Sequence, residues 1–554
     1  MTRITILLLA PVFLFAQQDK GKKDAAPPPK GTISGSVLMA GTNTPMRGVV
    51  VYANGGSADA VQATTDALGH YTIKDVTPGQ VRLSANAPDF WGRHTGFGPH
   101  AQRQVRLATG QDLTGIDFHI ILSGRITGRV VDQNKEPVVG ITVYLVAREY
   151  SHGRLRAFLS GANNTNDEGY YSIGGVTPGR AYSVMAQRYN RSLPALSEAP
   201  VDPTLRLPAF VPTYFPNAPS IDGAEMITMR PNEVREGVDI RVLRTPSFCL
   251  DAVIEGISGP QRFDIVETQP TSGLSGTGGY YTGAPGGQTG ADGKIRVCDL
   301  HPGDYELSTN TWAGGGPFQS RNGFAATTVT IGDRDVTGVH LLLRQRLPVN
   351  GDVAWDGPPP DTPPTAKLTL NVQAITRTER ANTESDVPGA FSFKGGLLMD
   401  EYRLDIGRLP RGAYVKDVIY GGHSILYTGL PVGAASGDPT LRVVLAGDGA
   451  MVAAKVTDKD GNPVADCSVV VIPADAANEA VLAAAMKFGK TDQSGDWTTA
   501  ALAPGKYYAI ATEDPVDRSP ECISALWKAR TSATEVDAAS NGKPSVTLSL
   551  RSLK

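Results

Sequence analysis

One phrase of turn and strand occurs five times along the 554 residues, and it constrains the fold more than any other feature. Asp followed by Gly favours a tight turn, because Asp accepts hydrogen bonds from nearby backbone and Gly adopts positive φ. The alternating apolar residues that follow predict a half-buried strand, and a Pro-Gly pair ends it. The copies read "TTDALGHYTIKDVTPGQVRL", "TNDEGYYSIGGVTPGRAYSV", "TGADGKIRVCDLHPGDYEL", the degenerate "ESDVPGAFSFKGGLLMDEYRL" and "TDQSGDWTTAALAPGKYYAI".

Each copy lies between an upstream pair of strands and a downstream closing strand. In the second unit these are "ITGRVVDQNKEPVVGITVYLV" and "EGVDIRVL". The units of about 90 to 125 residues are longer than solenoid repeats and match the size of an immunoglobulin-like domain. The sequence therefore predicts an all-β chain of five tandem immunoglobulin-like β-sandwich modules.

The predicted boundaries follow from these units. We place the modules at 31–122, 123–245, 246–345, 346–447 and 448–554, after a signal peptide at 1–16 and a linker at 17–30. The second module carries a long insert, and the fourth is degenerate. One Ala-rich stretch, Ala476 to Gly489, predicts a short helix between strands.

The N-terminus "MTRITILLLAPVFLFA" has one Arg before an apolar run, which is typical of a secretory signal peptide. The run is shorter than the roughly 20 residues of a membrane-spanning helix, so no transmembrane segment is expected. We expect an exported protein of the periplasm, the cell surface or the extracellular space.

The chain has four Cys, an even number in a compartment that favours disulfides. Cys249 and Cys298 lie in one unit, and Cys467 and Cys522 in another. The sequence predicts one disulfide within each pair.

The "T-x-D-x-x-G-x-Y" turn and the "L-x-P-G-x-Y" phrase resemble the carboxypeptidase regulatory-like, or transthyretin-like, β-sandwich. This module is similar to the B-type repeats of collagen adhesins. The resemblance implies a binding or spacer role for the chain and names no ligand.

Several functional classes receive no support from the residues. With 52 Lys and Arg against 55 Asp and Glu, the chain shows no basic footprint for nucleic acid. None of the eight His has a Glu three residues on, so a zinc carboxypeptidase site is not expected. "HTGFGPH" lacks a third metal ligand, and "DKDGNP" lacks the later ligands of a calcium loop. We predict no catalytic, cofactor-binding or metal-binding residue.

The loop after the Pro-Gly strand is rich in aromatic residues, Gly, Pro and Arg in the first three units. A sugar ring stacks on such side chains while polar groups bind its hydroxyls. The sequence thus predicts a non-enzymatic binding or structural protein that recognises an envelope polysaccharide or a surface protein. The alternatives are a hydrolase with a site in an inter-module cleft, a pure spacer, and aromatic rings that pack between modules. The candidate ligand-binding residues are Trp91, Arg93, Tyr214, Phe215, Trp312 and Arg321.

Overall fold

A computed structural model describes residues 29–40, 42–55, 60–87, 100–187, 209–257, 259–267, 286–309, 324–343, 346–360, 367–375, 379–434 and 439–553. Five units with one common plan follow each other in the chain, and we number them modules 1 to 5. In each module the first strand pairs antiparallel with the strand after the Asp-Gly turn and parallel with a closing strand near the end of the module. We call this sheet A. A second sheet of four or five strands is called sheet B, and the main core of each module lies between the two sheets.

Modules 1 and 2 have the following strands. Module 1 consists of β1 (Gly31–Met39), β2 (Val50–Gly55), β3 (Val61–Thr64), β4 (His70–Val76), β5 (Gly79–Asn86), β6 (His100–Leu107), β7 (Asp112–Leu113) and β8 (Phe118–Ile120). Module 2 consists of β9 (Gly124–Val131), β10 (Thr142–Ser151), β11 (Arg154–Asn164), β12 (Tyr170–Val176), β13 (Ala181–Gln187), β14 (Ala209–Phe210), β15 (Thr213–Tyr214), β16 (Ile227–Thr228), β17 (Val234–Arg235), β18 (Ile240–Arg241) and β19 (Arg244–Thr245). Sheet B has the order β3-β2-β5-β6 in module 1 and β11-β10-β13-β15 in module 2.

Modules 3 and 4 repeat this plan. Module 3 consists of β20 (Phe248–Glu255), β21 (Arg262–Glu267), β22 (Gly286–Gln288), β23 (Lys294–Leu300), β24 (Gly303–Thr309), β25 (Ala326–Ile331) and β26 (Val336–Leu342). Module 4 consists of β27 (Asn350–Trp355), β28 (Leu368–Ala374), β29 (Arg380–Ser385), β30 (Gly389–Ser392), β31 (Asp400–Gly407), β32 (Tyr414–Tyr420), β33 (His423–Ser424), β34 (Leu430–Val432) and β35 (Leu441–Ala446). Sheet B has the order β22-β21-β24-β25 in module 3 and β29-β28-β31-β34 in module 4.

Module 5 adds two helices to the plan. It consists of β36 (Ala453–Thr457), β37 (Ser468–Pro473), α1 (Glu479–Ala485), β38 (Lys487–Lys490), β39 (Asp496–Thr498), β40 (Gly505–Thr512), α2 (Pro520–Ala529), β41 (Thr534–Ala538) and β42 (Ser545–Ser549). The Ala-rich stretch forms α1 as predicted, whereas α2 was not expected. Its signal is local: the Ser519 side chain caps the helix, Pro520 follows, and Ile523 and Leu526 form one buried face.

The repeated phrase is explained by backbone contacts between the turn and the first strand. Gly169 has φ of 79°, and a Cβ there would lie 2.7 Å from the Val130 carbonyl oxygen. That strand in turn donates a hydrogen bond from Val130 to the Gly169 carbonyl at 2.8 Å. Only glycine fits a position that combines positive φ with so close an approach. The turn glycines of modules 1, 3 and 5 meet the first strand in the same way: Gly69, Gly293 and Gly495.

The Thr and Tyr of the phrase also have defined partners. Thr165 is buried, donates to the Val138 carbonyl at 2.6 Å and accepts from the Ile141 amide at 3.0 Å. Its hydroxyl therefore joins the Asp-Gly turn to the start of sheet B. The Tyr171 hydroxyl donates to the Val238 carbonyl at 2.6 Å, which ties the strand after the turn to the closing segment of the module.

The structure contains a disulfide between Cys249 and Cys298, with an S–S distance of 2.02 Å, as predicted. It joins the neighbouring strands β20 and β23 of sheet A in module 3. The second predicted disulfide is wrong, because Cys467 and Cys522 are free. Cys467 lies in the core between the sheets, whereas Cys522 belongs to α2 on the opposite face of sheet B. Sheet B of module 5 separates the two thiols.

Among the described residues, no helix is both long enough and apolar enough to cross a membrane. The predicted signal peptide and linker fall mostly outside the described residues and stay predictions.

We expect the denatured, unreduced protein to titrate with two free thiols per chain. The Cys249→Ala/Cys298→Ala variant should lose up to about 4 kcal/mol of module 3 stability, because its loop of 49 residues is no longer closed in the unfolded chain. Cys522→Ser is the control and should change the stability little, because that thiol is half-buried and unbonded to sulfur. A count of zero free thiols would contradict the assignment of one disulfide and two free cysteines. Equal Tm values of the Cys249→Ala/Cys298→Ala and Cys522→Ser variants in calorimetry would contradict it as well.

Candidate functional site

The structure separates the six predicted ligand-binding residues into two groups. Trp91, Arg93, Trp312 and Arg321 lie outside the described residues, and their role stays a prediction. Tyr214 is fully buried, so the prediction that it offers an exposed ring is wrong. Phe215 is half-buried and packs against the core of module 2.

The physical reason is that the insert of module 2 covers its own sheet B. Tyr214 packs with Tyr144, Val146, Met185 and Ala218 on the face of that sheet turned away from the main core. The insert thus forms a second, smaller apolar layer. Aromatic residues in this loop are part of the packing rather than of a surface.

A different arrangement of residues brings three modules together. β10 and β11 form a hairpin of 10 and 11 residues, longer than the usual strand of about 5 to 6. Its turn residues His152 and Gly153 have φ of 48° and 72°. Two positive φ values are those of a type I′ turn, which closes a two-residue hairpin. We call residues 149–158, which include this turn, the hairpin tip.

The hairpin tip contacts module 4. Arg154 and Arg156 both pair with Glu401 of β31, at 3.1 and 3.6 Å. Arg156 and Glu401 keep only 13% and 23% of their side-chain surface, so water screens this pair less than a fully exposed one. A Cβ on Gly153 would lie 2.8 Å from the Tyr427 carbonyl oxygen, so the hairpin turn lies directly against module 4.

The same tip contacts module 5. The Tyr150 amide donates to the Arg518 carbonyl at 2.8 Å, and its hydroxyl donates to Glu479 at 3.2 Å. The Tyr150 ring packs against the apolar layer that α1 and α2 form on sheet B of module 5. Arg180 of module 2 adds an ion pair with Asp517 at 3.6 Å. Module 2 therefore contacts modules 4 and 5, which follow it only after the whole of module 3.

His152 lies at the centre of this junction. Burial lowers its pKa below the usual value, and Arg403, Arg156 and Arg518 lower it further, against the opposite effect of Asp405. These charges come from all three modules. A proton on His152 would thus add positive charge to a junction that already contains several arginines.

One cleft lies between the hairpin tip and module 4. It is lined by Glu149, Ser151, Arg156, Phe158, Gln373 and Arg403, among others, and its volume is about 30 Å³. Such a volume holds one or two water molecules and no sugar or peptide. Within the described ranges no group of three or more His, Cys, Asp or Glu could hold a metal ion.

The sequence contained one signal for this junction that the repeat pattern obscured. "TVYLVAREYSHGRLRAFLSGANN" has two long strand-like runs separated by His-Gly, a pair suited to a tight hairpin. This hairpin pattern does not predict which residues the hairpin contacts, because nothing in it indicates Glu401 or Arg518, which lie far along the chain.

Comparison with protein families identifies the first module. The family described as the carboxypeptidase regulatory-like domain matches residues 32–120. The chain is therefore a protein of tandem β-sandwich modules, the first of which is similar to the carboxypeptidase regulatory-like domain. No curated protein sequence matches the chain.

Among solved structures, the chain is similar to β-sandwich proteins of bacteria. A Streptococcal ancillary pilin is 12% identical and aligns over 57% of this chain and 100% of its own, with a TM-score of 0.18. The major pilin subunit of Bacillus cereus is 8% identical over 57% and 100%, with a TM-score of 0.15. Two B repeat units of the collagen binding protein of Staphylococcus aureus are 11% identical over 72% and 94%, with a TM-score of 0.14.

Replacement of the carboxylate that the two arginines share should loosen the junction. Glu401→Ala leaves Arg154 and the partly buried Arg156 without this partner, which should cost about 1 to 3 kcal/mol of docking free energy. Hydrogen exchange of the Tyr150 amide reports the loss, because that amide bonds across the junction. Glu384→Ala is the matched control, since Glu384 forms an exposed pair with Arg408 inside module 4. Equal protection of Tyr150 in both variants would contradict the assignment.

Acid should also loosen the junction. The docked state holds His152 with a pKa below the usual 6.5, so the undocked state binds more protons. Docking free energy is therefore complete above pH 6.5 and falls as the pH decreases toward the lowered pKa. Small-angle scattering should show a larger radius of gyration at pH 5 than at pH 7.5.

His152→Asn is the control for this effect. Asn tolerates the positive φ at this position and does not titrate. The variant should keep the compact dimensions at both pH values. An equal expansion of the variant and the unchanged protein would assign the effect to carboxylates instead.

Proposed function

We propose that this is an exported, non-enzymatic binding or structural protein of the cell envelope. In this proposal modules 2, 4 and 5 form a rigid scaffold, and the scaffold presents loops at the module ends to a polysaccharide or a protein partner. The observation that carries the proposal is the junction at the hairpin tip. Its ion pairs, hydrogen bonds and ring packing join modules that are distant in the chain, which a pure spacer does not require.

The cleft at the junction gives no support to the hydrolase alternative. A hydrolase of this kind would need a cleft between modules that admits a substrate. The cleft beside the hairpin tip, at about 30 Å³, admits only water. Its lining includes Arg156, which pairs with Glu401 across the contact, and Arg403, which pairs with Asp405 of its own strand.

The proposed contacts with the partner are the loops of modules 1 and 3. Trp91 with Arg93 and Trp312 with Arg321 combine an aromatic ring with a cation, the chemistry suited to stacking on a sugar and binding its polar groups. Tyr214 is removed from this set by its burial. Among the residues that the structure describes, sheet B of modules 1 and 3 carries neither an apolar cover nor the hairpin contact.

The test is retention on envelope polysaccharide. Trp91→Ala and Trp312→Ala should each weaken retention of the full mature chain without lowering Tm, since an exposed ring adds little to a core. Tyr170→Ala is the matched control, because Tyr170 is 51% exposed beside Arg129 on module 2, outside the loops. A loss of about 3 to 5 kcal/mol of stability in the tryptophan variants would instead make those rings part of the packing.

A further inference from the structure

The outer face of sheet B, which is turned away from the main core, is covered or contacted by different residues in different modules. In module 2 it is covered by the insert with Tyr214, and in module 5 by α1 and α2. In module 4 it includes Glu401, which binds the hairpin tip. In module 3 it carries the acidic residues Asp304 and Glu306. Module 1 differs from all four.

The outer face in module 1 is open and polar. Its strands β2, β3, β5 and β6 contain no Asp or Glu. We define the amide face by the polar side chains that alternate with the core residues on these strands. Its members are Tyr52, Asn54, Gln62, Thr64, Gln80, Arg82, Ser84, Asn86, Gln102, Gln104 and Arg106, of which Tyr52 and Ser84 are half-buried and the others exposed.

Strand register aligns these side chains in rows. Tyr52 lies opposite Gln62 on one side and Ser84 on the other, and Ser84 lies opposite Gln102. Arg82 lies between Asn54 and Gln104 in the next row. Neighbouring strands are about 4.8 Å apart, so the row of four residues is a ladder of donors and acceptors roughly 15 Å long and the row of three is roughly 10 Å long. Such a surface fits an extended polymer rather than a compact ligand.

The chemistry of the face indicates the polymer. A side-chain amide donates and accepts at once, which suits hydroxyl groups, and Gln104 already donates to Gln80 in this way at 2.6 Å. An arginine binds a carboxylate through two parallel hydrogen bonds. The half-buried Tyr52 offers aromatic surface to an apolar sugar face. Amides, two arginines and no acid together complement a chain that is rich in hydroxyls and carries scattered carboxylates.

We propose that the amide face of module 1 binds an extended acidic polysaccharide, one that contains uronic acids. This inference rests on the proposed function, since it names the class of glycan and a second contact surface for it. Two arginines are too few for nucleic acid, whose binding needs several phosphate contacts. The polar rows and the low charge favour a glycan over an acidic polypeptide, which offers few hydroxyls.

The test is affinity electrophoresis of the mature chain in gels that contain polygalacturonate, with dextran as the neutral glycan. We expect retardation by polygalacturonate and little by dextran. Arg82→Glu/Arg106→Glu should weaken this retardation by roughly 10-fold or more, because charge-assisted bonds are replaced by repulsion. Calorimetry checks that the variant folds, as it should with both side chains exposed on the surface.

Arg47→Glu/Lys74→Glu is the matched control. It makes the same change of charge at exposed positions of module 1 that lie outside the amide face. Retardation of this variant should stay within about twofold of the unchanged protein, since it removes only the screened long-range attraction of exposed charges. Equal losses in the two variants would mean attraction by net charge alone and would overturn the proposal.

Further outcomes separate this inference from the proposed function. No retardation by polygalacturonate, or a retardation unaffected by Arg82→Glu/Arg106→Glu, overturns the amide face and leaves the loop variants to decide the proposed function. Competition by polyglutamate as strong as that by free polygalacturonate would overturn the choice of a glycan. Retardation that depends on Arg82 and Arg106 but not on Trp91 or Trp312 would support the amide face and contradict the loops.

Discussion

The fold of modules 1, 2, 3 and 5 depends on the close approach between the turn glycine and the first strand. At Gly169 the backbone comes within hydrogen-bonding distance of Val130, and a side chain would collide with that strand. The contact sets the register between the two antiparallel strands of sheet A, and one residue of slippage would turn the apolar set outward. Thr165, buried beside it, connects the same turn to sheet B. Both sheets are thereby fixed from one point in the sequence.

Once the sandwich is fixed, its outer faces are free to differ. The inner positions must stay apolar in every module, whereas the outer face of sheet B needs only to satisfy its polar groups or acquire a cover. Module 5 covers it with helices whose Ile523 and Leu526 pack against Val470 and Ile472. In module 1 the outer face of sheet B is exposed to solvent and carries amide side chains. Five copies of one fold thus provide surfaces of different chemistry.

The junction at the hairpin tip brings module 2 into contact with modules 4 and 5, so the chain folds back on itself. Its interactions are mixed in kind: the Arg156 ion pair is electrostatic, Tyr150 packs in an apolar layer, and Gly153 permits a close backbone approach. No single one of these interactions suffices to hold the modules together. Exposed ion pairs contribute little free energy, and the ordering of long side chains offsets part of that contribution. Their combination at one tip orients modules 2, 4 and 5 relative to each other.

The sequence by itself determined the module plan, because that plan rests on local signals. Turn residues, strand alternation and the short helix α1 act within a few positions, and the pairing of Cys249 with Cys298 followed from their places in neighbouring strands. Contacts that involve more than one sheet or module became known only from the tertiary structure. Cys467 and Cys522 are close enough in sequence to pair, yet sheet B separates them. Tyr214 lies in a segment whose composition is typical of a binding loop, but its side chain packs on its own module. Glu401 meets Arg156 across more than two hundred residues, and such contacts depend on how whole modules dock, which no local pattern encodes.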